Sequence, residues 1–376
     1  MSAPQGKQGS PRVGHAPLQE SKLLREFKRA YFKLHDPLSA IWDRVHTQWH
    51  DFRFDARVTA HRGEAPLGKK IAILLIYQPK YVANSVRFTI SHLVANDYSV
   101  VIVANGGMRS EAIQTMLQDV AMVVVRPNFG HDFGGYRDGL KVIGGHLIKA
   151  KSLLLINDSI WFPLRSDDDL IRRMEAATTG LSGPMFECKA NRRHKGHFES
   201  YMLYFGIEAI TSQAFITYWK RYKITKVRRK VLRHGEKGLS RALLDAGVPS
   251  SILCSRQAFM SDIEEADRAF LRTTLTYAIL QHPEEDRPRI DLLSEMDAGM
   301  FCDGARRFIL RHAAKGNVQE LFPYAAMTAF DLPFLKKRKK IQTQLMRTAY
   351  MQAVSDGQLP PADQAIAEEI MHATCD

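Results

Sequence analysis

Four short runs constrain the fold most: Ile71–Tyr77 (IAILLIY), Ser99–Ala104 (SVVIVA), Met122–Arg126 (MVVVR) and Ser152–Ile156 (SLLLI). Each is almost wholly apolar, as expected of a strand covered on both faces. Helical spacing separates them over Val82–Ala95, Ser110–Leu117 and Tyr136–Ile148. Strands and helices alternating at this spacing imply parallel pairing with right-handed crossovers. The expected fold class is therefore α/β, a mostly parallel Rossmann-like sheet flanked by helices. Tyr201–Gly206 reads as a later strand, and Leu170–Ala177, Thr211–Tyr218 and Glu236–Ala246 as further helices. Residues 67–262 would form this domain. Residues 1–66 would be a disordered tail plus amphipathic helices, and 263–376 a helical extension.

In the N-terminal part, Leu23, Leu24, Phe27, Tyr31, Phe32, Leu38, Ile41, Trp42, Val45 and Trp49 recur at helical spacing among basic residues. Such a stripe packs onto a core, or lies on a membrane surface when cations border it. The formal net charge of +13 favours an anionic partner. Two windows carry much of it, Lys220 to Arg233 and Lys336 to Lys340. They read as solvated faces or contacts with anionic lipid. Nucleic acid is not expected, because aromatic residues are not interleaved with the cations as a stacking surface needs.

Other classes are excluded by missing motifs. No G-x-G-x-x-G follows the first strand and no G-x-x-x-x-G-K-[ST] loop occurs, against a dinucleotide oxidoreductase or a P-loop NTPase. HExxH is absent too, and His194 and His197 are isolated from other ligand types. The N-terminus has no apolar signal core, no run is long enough to span a bilayer, and Cys188, Cys254, Cys302 and Cys375 are scattered. A cytoplasmic protein, peripheral on the inner face of the membrane at most, is the expectation.

Candidate chemistry gathers at two strand ends. Asn128, Asp132, Arg137 and Asp138, with Gly130, Gly134 and Gly135, form one loop after the third strand. It could cradle hydroxyls or phosphates at a helix start, or be a Gly-rich turn capped by Asp132. Asn157-Asp158-Ser159 ends the fourth strand, and a carboxylate there can hold a hard divalent cation. Ligands of open α/β sheets bind outside such carboxyl ends. Asn105 opens the turn after the second strand. Glu236 suits a general base or merely complements a helix N-terminus. Glu199 could line an acceptor side or be solvated.

The segments PNFGHDFGGYRDGL (Pro127–Leu140), LLINDSIWFPL (Leu154–Leu164), ESYMLYF (Glu199–Phe205) and GEKGLSRALLDAG (Gly235–Gly247) together resemble the rhamnan synthesis F family of bacterial surface polysaccharide assembly. The resemblance spans roughly Lys69 to Met260. It implies a GT-A-type glycosyltransferase, inverting, that moves a sugar such as rhamnose from a nucleoside diphosphate donor to a glycan or polyprenyl-diphosphate-linked acceptor. Asn105 and the Asn128–Asp138 loop would then bind the donor with Asn157 and Ser159. Asp158 would hold Mg²⁺ or Mn²⁺ in place of an Asp-x-Asp pair, and Glu236 or Glu199 would be the catalytic carboxylate. A non-catalytic scaffold of the same assembly is the alternative.

Overall fold

The structure, a computed structural model, describes residues 39–188, 196–294 and 298–375. The tail and the helical residues expected before position 39 lie outside them. The α/β expectation holds. Strands β1 (Thr59–Arg62), β2 (Lys70–Ile76), β3 (Ser99–Asn105), β4 (Met122–Arg126) and β5 (Ser152–Asn157) join β7 (Leu181–Gly183), β10 (Met202–Gly206) and β11 (Ser250–Ile252) in one sheet. Its order is β1-β4-β3-β2-β5-β10-β7-β11. The inner strands β4, β3, β2 and β5 are parallel, whereas β10 runs antiparallel to β5 and β7.

Alternation along β2 shows why these runs are apolar throughout. Ala72, Leu74 and Ile76 enter one core, with helices α2 (Asn84–Ala95), α3 (Ser110–Met116), α5 (Leu170–Ala177) and much of residues 256–334. Ile71, Ile73 and Leu75 enter the other, with α4 (His131–Ile143), α6 (Gln213–Arg221) and α7 (Lys237–Asp245). Period-two side chains of a central strand must satisfy both faces.

Helix α4 begins five residues before the expected Tyr136, at His131, directly after Gly130 in the left-handed region (φ 88°). Its glycines are helical, and sheet packing demands them. A Cβ on Gly135 would stand 2.2 Å from Leu75 Cδ1, and one on Gly134 2.4 Å from the Phe129 carbonyl oxygen. The backbone oxygen cannot swing aside as a methyl can. Gly134→Ala is expected to cost at least about 1–3 kcal/mol, read from the urea midpoint; an unchanged midpoint would contradict this packing role.

The chain after 262 returns to the segment that follows β5, in a separate two-stranded sheet. Strand β12 (Leu335–Lys336) pairs antiparallel with β6 (Ile160–Trp161), as β9 (His197–Phe198) does with β8 (Phe186–Glu187), and the Lys337 amide donates to Ser159 O at 2.8 Å. A third core around Trp161, Leu335, Met346, Tyr350 and Ile366 seals this junction, with α8 (Gln364–Cys375) packed across it.

Candidate functional site

Because β3 and β4 extend the sheet on one side of β2 and β5 lies on the other, the strand order reverses between the parallel neighbours β2 and β5. Crevices form at such points. Asp158 sits there, its amide donating to Leu75 O at 3.0 Å. Its Oδ2 accepts from the Tyr77 amide (3.0 Å) and from Gln78 Nε2 (3.1 Å). Burial pushes its carboxyl up, against these hydrogen bonds and the charge of Lys337.

Asp132, in the first turn of α4, receives Asn157 Nδ2 at 3.2 Å. Burial raises its pKa, and the charges of Asp158 and Glu236 add to the shift. Asn157 Oδ1 in turn accepts from the Ser159 amide (3.1 Å) and hydroxyl (2.5 Å). Lys337 arrives from β12. Its Nζ donates to Ser85 Oγ at 2.8 Å and stands 4.0 Å from Glu369 Oε2. Burial pushes this ammonium down, opposed by Glu369 and Asp158, so an added anion would favour its charged form.

Glu236 does not open a helix. It ends a π-helical stretch, Val231–Glu236, that runs on into α7, so the N-terminal charge reading fails. Insertions of this kind are frequent at functional sites. Gly235 makes the approach possible, since a Cβ there would lie 2.6 Å from the Phe133 ring of α4. The Glu236 carboxylate accepts from the Ser200 amide (3.1 Å) and hydroxyl, and meets His197 Nε2 at 3.2 Å. Burial opposes ionisation, but the bonds from His197 and Ser200 outweigh it and hold the carboxyl below its usual range. His197, not Glu236, lines a neighbouring cavity of about 760 Å³ with Lys237, Arg241, Arg256 and Lys315.

Several expected donor residues are committed elsewhere. Asp138 and Arg126 are fully enclosed, Arg126 Nε donating to Asp138 Oδ2 at 2.7 Å. Arg126 also donates to Asn105 Oδ1 and to Phe129 O, and His50 Nε2 meets Asp138 Oδ2 at 2.9 Å. Asn105 and Asp138 therefore hold the loop's inner side together. Arg137 forms a bidentate pair with Asp51 at 2.9 and 2.7 Å, on the helix of residues 39–52, α1. Gly130, Gly134 and Gly135 serve the turn and the packing described above. Glu199 meets Lys336 Nζ at 3.1 Å and accepts from Asn317 Nδ2 at 3.1 Å. With Glu320 it neutralises a buried lysine that the basic run 336–340 had presented as surface.

Asp132, Asn157, Asp158 and Ser159 do come together. Asn128 is exposed, near Gly106 and the ring of Tyr77 at the ends of β4, β3 and β2. Tyr77 (58% exposed) flanks this ledge and was not singled out from sequence. Nor were Gln78 and Ser200, whereas His197 was set aside as isolated from other ligand types and Lys337 was read only as part of a basic run. Tyr77 could have been found as the aromatic that ends the first strand.

The matched segment of the chain carries β5 and the Asp132 and Asn157–Ser159 side of this crevice, but not β2. Residues 100–277 match the family model of rhamnan synthesis protein F. All four segments behind the sequence resemblance fall inside the match to rhamnan synthesis protein F. Tyr77, Gln78 and Lys337 fall outside it. An uncharacterized protein of Sinorhizobium fredii, y4gN, is 31% identical over 221 residues, 59% of this chain and 58% of that protein. The chain thus spans little more than half of that relative's length.

Proposed function

We propose that the crevice between β2 and β5 binds a nucleoside diphosphate sugar and that the protein transfers the sugar in rhamnan-type surface polysaccharide synthesis. The placement of Asp158 at the switch point, hydrogen-bonded to the backbone leaving β2, carries this reading. The match to rhamnan synthesis protein F supports the polysaccharide role. Tyr77, beside Gly106 and Asn128, offers a ring for the base. Asp132, Asn157 and Ser159 offer acceptors and donors for sugar hydroxyls.

In the transfer, an acceptor hydroxyl oxygen forms a bond to the anomeric carbon. The bond from that carbon to the diphosphate oxygen breaks, and the nucleoside diphosphate leaves with the electron pair. The acceptor proton passes to His197. Its Nε2 is held by Glu236, and its Nδ1 has no hydrogen-bond partner among the described residues. Glu236 orients the ring and stabilises the imidazolium, a weaker base made into a positioning group by its own hydrogen bonds. Lys337 meets charge developing on the departing diphosphate.

Among the described residues no three His, Cys, Asp or Glu side chains form a metal cage. Mg²⁺ needs none when substrate phosphates complete its shell. Asp158 and Asp132, two carboxylates whose pKa burial raises, fit that use. They would hold the ion, which would supply Lewis-acid charge to the diphosphate.

Lys337→Met is expected to slow nucleoside diphosphate release from the cognate donor roughly 10²-fold. Single-turnover assays of wild type and variant would measure it. Equal rates would remove Lys337 from the site, whereas no release by the wild type with any donor would remove the transferase reading.

A further inference from the structure

Helix α1 is amphipathic in the unexpected sense. Its inward positions are polar: Thr47 and His50 are buried, Asp43 and Asp51 half-buried. They bind Ile224 through its amide (2.9 Å), Lys230 (2.5 Å), Asp138 and Arg137. Its apolar residues point outward instead. Ile41 is 62% exposed, Trp42 63%, Val45 48%, Trp49 48% and Phe52 88%. At 100° per residue they fall within one arc of about 100°. Burying polar groups while exposing two tryptophans and a phenylalanine inverts the ordinary arrangement of a surface helix. A contiguous exposed aromatic face marks an interaction site.

Charge identifies the occupant. Arg44 and Arg53 border the stripe, and Arg53 and Arg57 lie over the Trp49 ring at 5.5 and 4.7 Å. The basic window from Lys220 to Arg233 is packed along α1 by the Thr47–Ile224 and Asp43–Lys230 contacts. Ring contacts join the two surfaces. Trp42 meets His46 (6.0 Å), His46 meets Phe129 (6.3 Å), and Lys226 Nζ stands 5.8 Å over Phe129. Lys220, Arg221, Lys223, Lys226 and Arg228 are exposed there, with Val227 and Leu232 half-exposed among them.

We infer that α1 and the 220–233 segment seat the protein on an anionic bilayer surface, the aromatic stripe entering the headgroup region while the cations meet lipid phosphates. Tryptophan and phenylalanine with bordering Arg and Lys are the composition of an interfacial helix, and cations near such a surface add attraction that salt screens. The described residues contain no helix long and apolar enough to cross a membrane, so the contact lies in the interface plane. This inference is independent of the transferase reading.

The test is co-sedimentation of the full-length protein with phosphatidylcholine vesicles, with and without phosphatidylglycerol. The expected result is binding only when phosphatidylglycerol is present, weakened by added salt, with a blue shift of tryptophan emission. Trp42→Ser, Trp49→Ser and Phe52→Ser together should lower partitioning by about tenfold or more. An unchanged melting temperature of that variant would show an intact fold. No sedimentation with either vesicle, as when the face instead binds another protein, would overturn the inference. So would equal binding to neutral vesicles, or undiminished binding by the triple variant.

Discussion

Asp138→Ala is expected to lower the unfolding free energy by roughly 3–5 kcal/mol, because it strands a fully buried guanidinium. Arg126 has no route to water, and its remaining partners, Asn105 and the Phe129 carbonyl, carry no charge. Burial disfavours the carboxylate, yet His50 and Arg126 outweigh it and hold Asp138 below the usual range. For a carboxyl depressed in the folded state, stability is present above its ordinary pKa and lost as pH falls through the lower folded value. Chemical denaturation at neutral pH should show the full loss, shrinking in acid where wild type has lost the same contribution. By contrast the exposed Arg241–Asp245 pair should change the midpoint little when broken. A mild Asp138→Ala would mean that water or another anion reaches Arg126.

His197→Ala is the second large effect, a loss of turnover of about 10²–10⁴-fold, the range for a removed general base. Glu236→Gln keeps the shape and the bond to Ser200 but removes the charge facing the imidazole. It should lower kcat too with KM for the donor little changed, a split that a purely structural role would not give. Donor affinity should stay near wild type in both variants, since neither residue lies at the β2/β5 switch. Unchanged turnover in His197→Ala with altered turnover in Glu236→Gln would return the base role to the carboxylate.

The central sheet was legible because its strands are buried on both faces, and their apolar runs leave no other reading. The start of α4 was not. Gly134 and Gly135 look like loop residues, yet they are helical positions where the sheet and the preceding turn leave no room for a Cβ. The edge strand Thr59–Arg62 is polar and short, so nothing in its composition separates it from a linker. Strand β12 hides inside a run of lysines. Only the fold reveals that Lys336 is buried between Glu199 and Glu320 and that Lys337 reaches the crevice. For α1 the periodicity was readable but its direction was not, because its inner face is fixed by hydrogen bonds to Asp138 and Arg137 rather than by apolar burial. Within the site, Asp132, Asn157 and Asp158 converge as their strand ends suggested. Asn105, Arg137 and Asp138 could not be told from ligand groups, since buried ionic networks and binding sites use the same residues.

Calorimetric titration of UDP, GDP, TDP and CDP, each with and without Mg²⁺, into wild-type protein and Asp158→Asn tests the account most directly. The account predicts that one of these nucleotides binds the wild type and that the variant, still folded, loses most of that affinity. Binding by none of them, or equal binding by both proteins, would contradict a nucleotide site at the β2/β5 switch.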